Sequence, residues 1–178
     1  MSERSGGAGA RGVLALGSNL APREAWLDLG HRTLLELGAE LLAKTPRWNT
    51  EPVGGPAQPD YLNQLLLVRV QRSRQEWLEL CREVERRAGR RRGPGRGPRT
   101  LDVDVILLEE GEVELAELRV PHPALRERPY LLRGSALLVP HWPGPEPGRT
   151  VAETARQSLS GPWRLEAPRG AAGPRARG

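Results

Sequence analysis

Residues 101–108, LDVDVILL, set two acids into an otherwise apolar run, and the alternation ties the segment to a β-strand. In an extended chain residues two apart share a side, so Asp102 and Asp104 project together while Val103, Val105 and Leu107 fill the opposite face. Two like charges so close call for a compensating cation. A hard divalent ion with oxygen ligands suits them, Mg²⁺ before Ca²⁺, because Mg²⁺ is usually held by one or two carboxylates plus substrate phosphates. A half-exposed edge strand with solvated acids would carry the same short pattern, so the context of the pair decides its meaning.

The flanking sequence supplies a sheet for this strand. Residues 12–17, GVLALG, read as a short buried strand, Ser18 to Leu20 as a turn, and Pro22 as the opening of a helix that runs to about Leu37. Trp26, Leu29, Thr33, Leu34 and Leu37 recur at helical spacing and predict one buried stripe, stopped at Gly38. A weak strand pattern lies within 39–49. A stronger one covers 62–71, LNQLLLVRVQ, followed by Ser73 and Glu76 in capping-box spacing. Trp77, Cys81, Val84 and Ala88 then share a helix face, which reads Cys81 as a small buried hydrophobe, and Gly89 ends that helix. After the diacid strand come a predicted hairpin turn near Glu109–Glu112, a short strand at 113–115, a helix over 129–139, and an amphipathic helix marked by Val151, Ala155 and Leu159. The order strand, helix, strand, strand, helix, strand predicts an α+β fold. It matches a ferredoxin-like α/β sandwich, a mainly antiparallel sheet with helices packed on it and extra C-terminal helices. The expected division is a flexible N-terminus at 1–11, a single domain over 12–165, and a disordered Pro/Gly/Arg tail at 166–178.

Two segments cannot form regular structure. TEPVGGPAQPD, residues 50–60, holds three prolines and two glycines, and RRRGPGRGPR, residues 90–99, holds five arginines among three glycines and two prolines. Both read as loops, the second mobile and basic, expected to close over ligands. The formal net charge of +5 is almost wholly arginine, with Lys44 the single lysine, which favours anionic partners, although solubility, codon bias or heat adaptation would enrich arginine equally. Cys81 is the single cysteine, so a disulfide framework and a cysteine-rich metal site are excluded, and a reducing cytoplasmic location is expected. No apolar run reaches membrane-spanning length.

A carboxylate pair, an arginine-rich loop directly before it, and a proline-rich loop ending in PDYLN together point to phosphate chemistry. Phosphoryl transfer needs a metal on the bridging oxygens, cationic donors around the transferring group, and a positioned acceptor. Arg90, Arg91, Arg92, Arg96 and Arg99 are the candidate donors. No GxxxxGK segment is present, so a P-loop is excluded and a nucleotide would be held through metal and arginine.

The motifs LALGSNL (14–20), TEPVG (50–54), QPDYLN (58–63), GPRTLDVDVILL (97–108) and VPHPALRERPYLL (120–132) occur in one order. In these the chain, over roughly residues 12–140, resembles the 6-hydroxymethyl-7,8-dihydropterin pyrophosphokinases of folate biosynthesis. The resemblance implies transfer of the β,γ-pyrophosphoryl group of ATP to the hydroxymethyl oxygen of a reduced pterin, with AMP released. It implies two Mg²⁺ ions held by Asp102 and Asp104, with Arg90, Arg92 and Arg99 completing the catalytic set. By the same resemblance Asn19, Thr50, Val53, Tyr61, Asn63 and Tyr130 form the pterin site. Glu85, Arg90, Arg92, Arg99, Val105 through its backbone, His122 and Arg128 receive ATP. The expected partners are these small molecules, acting on a monomer with no nucleic acid and no membrane.

Departures from the family pattern fall on the nucleotide side. The basic loop is one residue short, Arg96 replaces a common tryptophan, Pro123 an aromatic, and Arg119 a small residue. Two other readings of the same features stand beside this one. A basic ferredoxin-like RNA-binding domain would need an aromatic-rich strand that is missing here, and would place two acids where RNA lies. A Mg-dependent nucleotidyltransferase would use paired acids but release pyrophosphate.

Overall fold

A computed structural model of the protein describes residues 9–53, 57–90 and 97–158. Its elements are β1 (Ala10–Ser18), α1 (Arg23–Glu36), β2 (Glu40–Lys44), β3 (Trp48–Thr50), β4 (Tyr61–Val70), α2 (Glu76–Arg87), β5 (Asp102–Leu108), β6 (Val113–Glu114), β7 (Arg119–Val120), α3 (Pro129–Leu138) and α4 (Val151–Ser158). The main sheet runs β2-β4-β1-β5 with every neighbouring pair antiparallel, and β3 continues the pairing of β2 along the same side of β4. This is the ferredoxin-like order expected from the sequence of elements.

Residues 13–16 of β1, 65–68 of β4 and 105–108 of β5 are apolar without a break because both faces of the sheet are covered there. Leu14, Leu16, Leu62, Leu66 and Val103 join Leu27 and Leu34 of α1 and Trp77, Leu80 and Val84 of α2 in one core. Val13, Ala15, Leu65, Ile106 and Leu107 join Leu131 and Leu132 of α3 and Val151 and Ala155 of α4 in a second core on the opposite face. The C-terminal helices are therefore a third layer. Asp102 and Asp104 pair across β1 with Gly17 and Ala15, on the face that α3 and α4 cover. At this end of the sheet that cover stops, and the site begins.

Several local expectations change. Ala10 and Arg11 belong to β1, paired with Val70 and Arg69, so the ordered chain begins before residue 12. The weak pattern at 39–49 is two strands, because Thr45 turns the chain and its hydroxyl accepts the Leu65 N–H at 3.0 Å. Leu27, Gly30, Thr33 and Leu34 form the buried centre of α1, while Trp26, Leu29 and Leu37 flank it, half-buried. The turn after β5 is not a hairpin. Gly111, at φ 90°, redirects the chain, and β6 pairs with β7 instead of β5. Half of the capping box forms: the Ser73 N–H and hydroxyl both donate to Glu76 Oε2 at 2.7 Å, and α2 starts at Glu76 itself. Leu159, Gly54–Pro56 and the tail at 166–178 lie outside the described residues. No helix among the described residues is long and apolar enough to cross a membrane.

Candidate active site

A cleft of about 940 Å³ opens on the face carrying the two aspartates and wraps around the outer edge of β5 toward α2. Alternation along the strands fills its floor. Gly17 of β1 sits between Asn63 of β4 and Asp102 of β5, with Ala15 beside Asp104, and Tyr61 is paired with Thr50 of β3. One sheet face thus places Thr50, Tyr61, Asn63, Asp102 and Asp104 in a row. Asn63 is 4% exposed and its Nδ2 donates to Thr50 Oγ1 at 2.7 Å, which fixes the amide's orientation. His122, Arg128 and Tyr130 close the row from the α3 side, and Val53 stands on the rim, 66% exposed.

The charges are arranged around Asp102. Arg90 Nη1 lies 2.5 Å from its Oδ1, and Arg99 Nη1 lies 2.8 Å from its Oδ2. Arg90 also pairs closely with Glu85, whose Oε1 accepts the Val103 N–H at 2.9 Å. Glu85 is 8% exposed, and burial pushes its carboxyl up to about 7, against the opposing pull of the Val103 N–H and Arg90. An acid at the end of α2 thereby gains the specific partners that its place in the helix called for. Among the described residues none hydrogen-bonds or pairs with the Asp104 carboxylate. Burial, with the Asp102 charge added to it, raises that carboxyl to about 6. Arg128, Arg90 and Arg99 act on Asp104 through space and pull the other way.

His122 is ordered by its own turn: its Nδ1 accepts the Ala124 N–H at 3.1 Å. Burial and the Arg128 cation lower its pKa, so the ring is neutral near pH 7 and carries its proton on Nε2, a donor for an anionic oxygen. Burial raises the Tyr130 hydroxyl, and Arg128, hydrogen-bonded to it, pulls it back. Val105 buries its side chain in the core and does not line the cleft. Because Val103 turns its N–H outward to Glu85, Val105, two residues on, presents its N–H and C=O to the same outer edge. Arg91, Arg92 and Arg96 lie outside the described residues.

Asn19 departs from its expected place. It is 1% exposed and outside the cleft lining, with its amide engaged by neighbouring loops. The cleft also includes Gly17, Gln58, Asp60, Cys81, Arg82 and Glu127, which sequence reasoning passed over. Gln58 and Asp60 stood in the QPDYLN motif and were legible there. Gly17 was legible only through the pairing register. Cys81 is a buried hydrophobe as expected, its thiol pushed well up by burial.

No group of three or more His, Cys, Asp or Glu among the described residues is placed to hold a metal ion. Two carboxylates facing open cleft, one of them without a hydrogen bond, are an incomplete oxygen set that a phosphate ligand would complete. This donor set fits Mg²⁺.

Fold and cleft together set paired acids on one strand, arginines against the first of them, and polar and aromatic side chains of β3, β4 and α3 beside them. The profile of the 7,8-dihydro-6-hydroxymethylpterin-pyrophosphokinase (HPPK) family matches residues 13–140. The chain is 33% identical over 145 residues to the 2-amino-4-hydroxy-6-hydroxymethyldihydropteridine pyrophosphokinase of Synechocystis, covering 82% of this chain and 74% of that one. To the Mycobacterium tuberculosis protein of the same name it is 38% identical over 133 residues, covering 68% and 69%. Among solved structures, the Plasmodium falciparum HPPK-DHPS chain with pteroate superposes with a TM-score of 0.67 at 11% identity, over 90% of this chain and 44% of that one, a likeness of fold. The chain thus spans less than half of that longer protein. It belongs to the 7,8-dihydro-6-hydroxymethylpterin-pyrophosphokinase family.

Proposed function

We propose that this cleft joins ATP to 6-hydroxymethyl-7,8-dihydropterin. The pterin hydroxymethyl oxygen bonds to the β-phosphorus and gives up its proton to solvent, the β-phosphorus–bridging oxygen bond breaks, and AMP leaves with the bridging oxygen. The observation that carries this reading is one sheet face with Asp102 and Asp104 at one end and the Asn63–Thr50–Tyr61 group at the other, in a single cleft.

Each end has its own chemistry. The Asn63 amide offers donor and acceptor together, which matches the edge of a pterin, while Tyr61 and Tyr130 offer ring faces and Thr50 and Val53 form the wall. Arg90, Arg99, Arg128 and the Nε2–H of His122 supply cationic and neutral donors to phosphate oxygens, with Arg92 a further donor from the basic loop. Arg90 and Arg99 now neutralise Asp102, so they exchange partners when a triphosphate enters. Glu85 then keeps Arg90 oriented. Val105 reads adenine through its outward N–H and C=O. Asp102 and Asp104 are the ligands for two Mg²⁺ ions, which when bound neutralise charge on the bridging and non-bridging phosphate oxygens.

Incubation of the protein with MgATP and the reduced pterin is expected to yield AMP and pterin pyrophosphate in equal amounts. ADP, or free pyrophosphate with an adenylated pterin, would point to a different transfer, the second being the nucleotidyltransferase outcome.

Gly17→Ala probes the acceptor end alone. A Cβ at Gly17 would lie 2.7 Å from Asn63 Oδ1, the far end of a side chain that must give up its hydrogen bond to Thr50 to move away. Stability should therefore fall by only about 1 kcal/mol, the usual worth of one such bond. Displacing the amide should weaken pterin binding by about tenfold or more, the loss expected when a buried hydrogen-bonding edge is left unmatched. Titration of the pterin in the presence of a non-hydrolysable MgATP analogue measures it, and unchanged affinity would remove Asn63 from the pterin edge.

A further inference from the structure

We infer that Asn19 is a positioning residue, a joint that holds the acceptor loop and the arginine segment in register without touching either substrate. This rests on the reading of the cleft proposed above. Asn19 follows directly after β1, is 1% exposed, and does not line the cleft. Its Oδ1 accepts the Arg99 N–H at 2.8 Å, and its own N–H donates to the Arg99 C=O at 3.3 Å. Both main-chain groups of Arg99 are thus held by one residue. From the other side of the amide, Nδ2 donates to Gln58 Oε1 at 3.0 Å and to the Pro59 C=O at 3.2 Å.

Those partners lead straight into the chemistry. Arg99 sends its guanidinium to Asp102 at 2.8 Å, and Pro59 stands two residues before Tyr61 and four before Asn63. A second strut braces the acceptor loop from α1, where Arg23 Nη1 donates to the Asp60 C=O at 2.8 Å. Both segments are proline-rich, and among their described residues 57–60 and 97–99 none lies in a strand ladder, so a buried amide with three side-chain hydrogen bonds is their shared anchor. The two halves of the amide do different work. Oδ1 serves the arginine, and Nδ2 serves the acceptor loop.

That division gives the test. Asn19→Ala removes both halves, while Asn19→Asp keeps an acceptor for the Arg99 N–H and turns a carboxylate oxygen against the Pro59 carbonyl. In Asn19→Ala, exchange of the Arg99 amide proton, followed by NMR in the ligand-free full chain, should quicken by at least about tenfold. Its kcat should fall, and its pterin KM should rise, each by on the order of 10- to 100-fold, as expected for misplaced reacting groups. In Asn19→Asp the Arg99 amide should stay protected and kcat should stay within about threefold of the parent, while the pterin KM still rises about tenfold. A folded Asn19→Ala whose Arg99 amide exchanges as in the parent overturns the joint. So does an Asn19→Asp that loses kcat as fully as the alanine variant, or one that leaves the pterin KM unmoved. Should the alanine variant fail to fold, the aspartate variant decides by the same two readouts. Amide exchange needs no substrate, so it judges the joint even if the parent makes no pterin pyrophosphate, a result that would sink the assigned reaction instead.

Discussion

Asp104→Asn should lower turnover by about a thousandfold and, at pH 8, raise the melting temperature of the ligand-free protein. The loss follows from charge. A carboxylate that holds a metal ion against the transferring phosphates contributes several kcal/mol to the transition state, and about 4 kcal/mol corresponds to that thousandfold. The gain in stability follows from burial. The folded-state carboxyl sits near 6, above its ordinary 3.8, because desolvation and the Asp102 charge disfavour ionisation. Folding therefore takes up a proton between those two values, and the ionised side chain costs stability above them. Below pH 3.8 the group is neutral in both states and contributes nothing, the cost grows as pH rises toward 6, and it is complete by pH 8. The amide, neutral throughout, escapes that cost. Calorimetric melting of parent and variant at pH 4 and pH 8 should thus show a gap that opens with pH. A variant less stable than the parent at pH 8 would mean that Asp104 is held by a favourable partner, and full turnover would remove it from the metal site.

A site that opposes its own fold in this way leaves a trace in the sequence, and that trace is why the aspartates could be found. Two acids in an apolar strand violate the pattern that stability alone would select. Alternation then gave their shared face, and the element order gave the sheet. What alternation cannot provide is the partner opposite each residue. That Gly17 stands between Asn63 and Asp102 depends on pairing between segments some forty to ninety residues apart. The third layer was hidden for a related reason. A continuous apolar strand says that both faces are covered, but not that α3 and α4 supply the second cover. Asn19 shows the limit most plainly. Its place in the GSNL motif marked it for the site, yet only the positions of Gln58, Pro59 and Arg99 around a buried amide separate anchoring from ligand contact.

Arg99→Ala should separate catalysis from metal affinity by moving them in opposite directions. Loss of a cationic donor at the transferring group should lower kcat by about 10²- to 10³-fold, the usual effect of deleting one such group. On the proposed reading of the two acids as metal ligands, however, Arg99 competes with the metal ion in the ligand-free protein. Its Nη1 covers Asp102 Oδ2 at 2.8 Å while Arg90 takes Oδ1 at 2.5 Å, so a free divalent ion must displace a bound cation before it reaches the carboxylate. Arg90 is further committed to Glu85, and it remains on Asp102 when Arg99 is gone. One oxygen of Asp102 then stands open beside Asp104. Mn²⁺, as a stand-in followed by electron paramagnetic resonance, should bind ligand-free Arg99→Ala about fivefold to tenfold more tightly than the parent, a modest change because the pair is partly solvated. Arg99→Lys keeps a cation near the same oxygen and should leave Mn²⁺ affinity close to the parent value. It should recover only part of the turnover, because an ammonium cannot reproduce the planar fork of a guanidinium on a phosphate. If Mn²⁺ binds Arg99→Ala no better than the parent, Asp102 is not the carboxylate that Arg99 guards. If it binds more weakly, the arginine supports the metal site instead of screening it. Either outcome breaks the exchange in which a triphosphate draws Arg90 and Arg99 off Asp102 and so exposes that carboxylate when the nucleotide arrives.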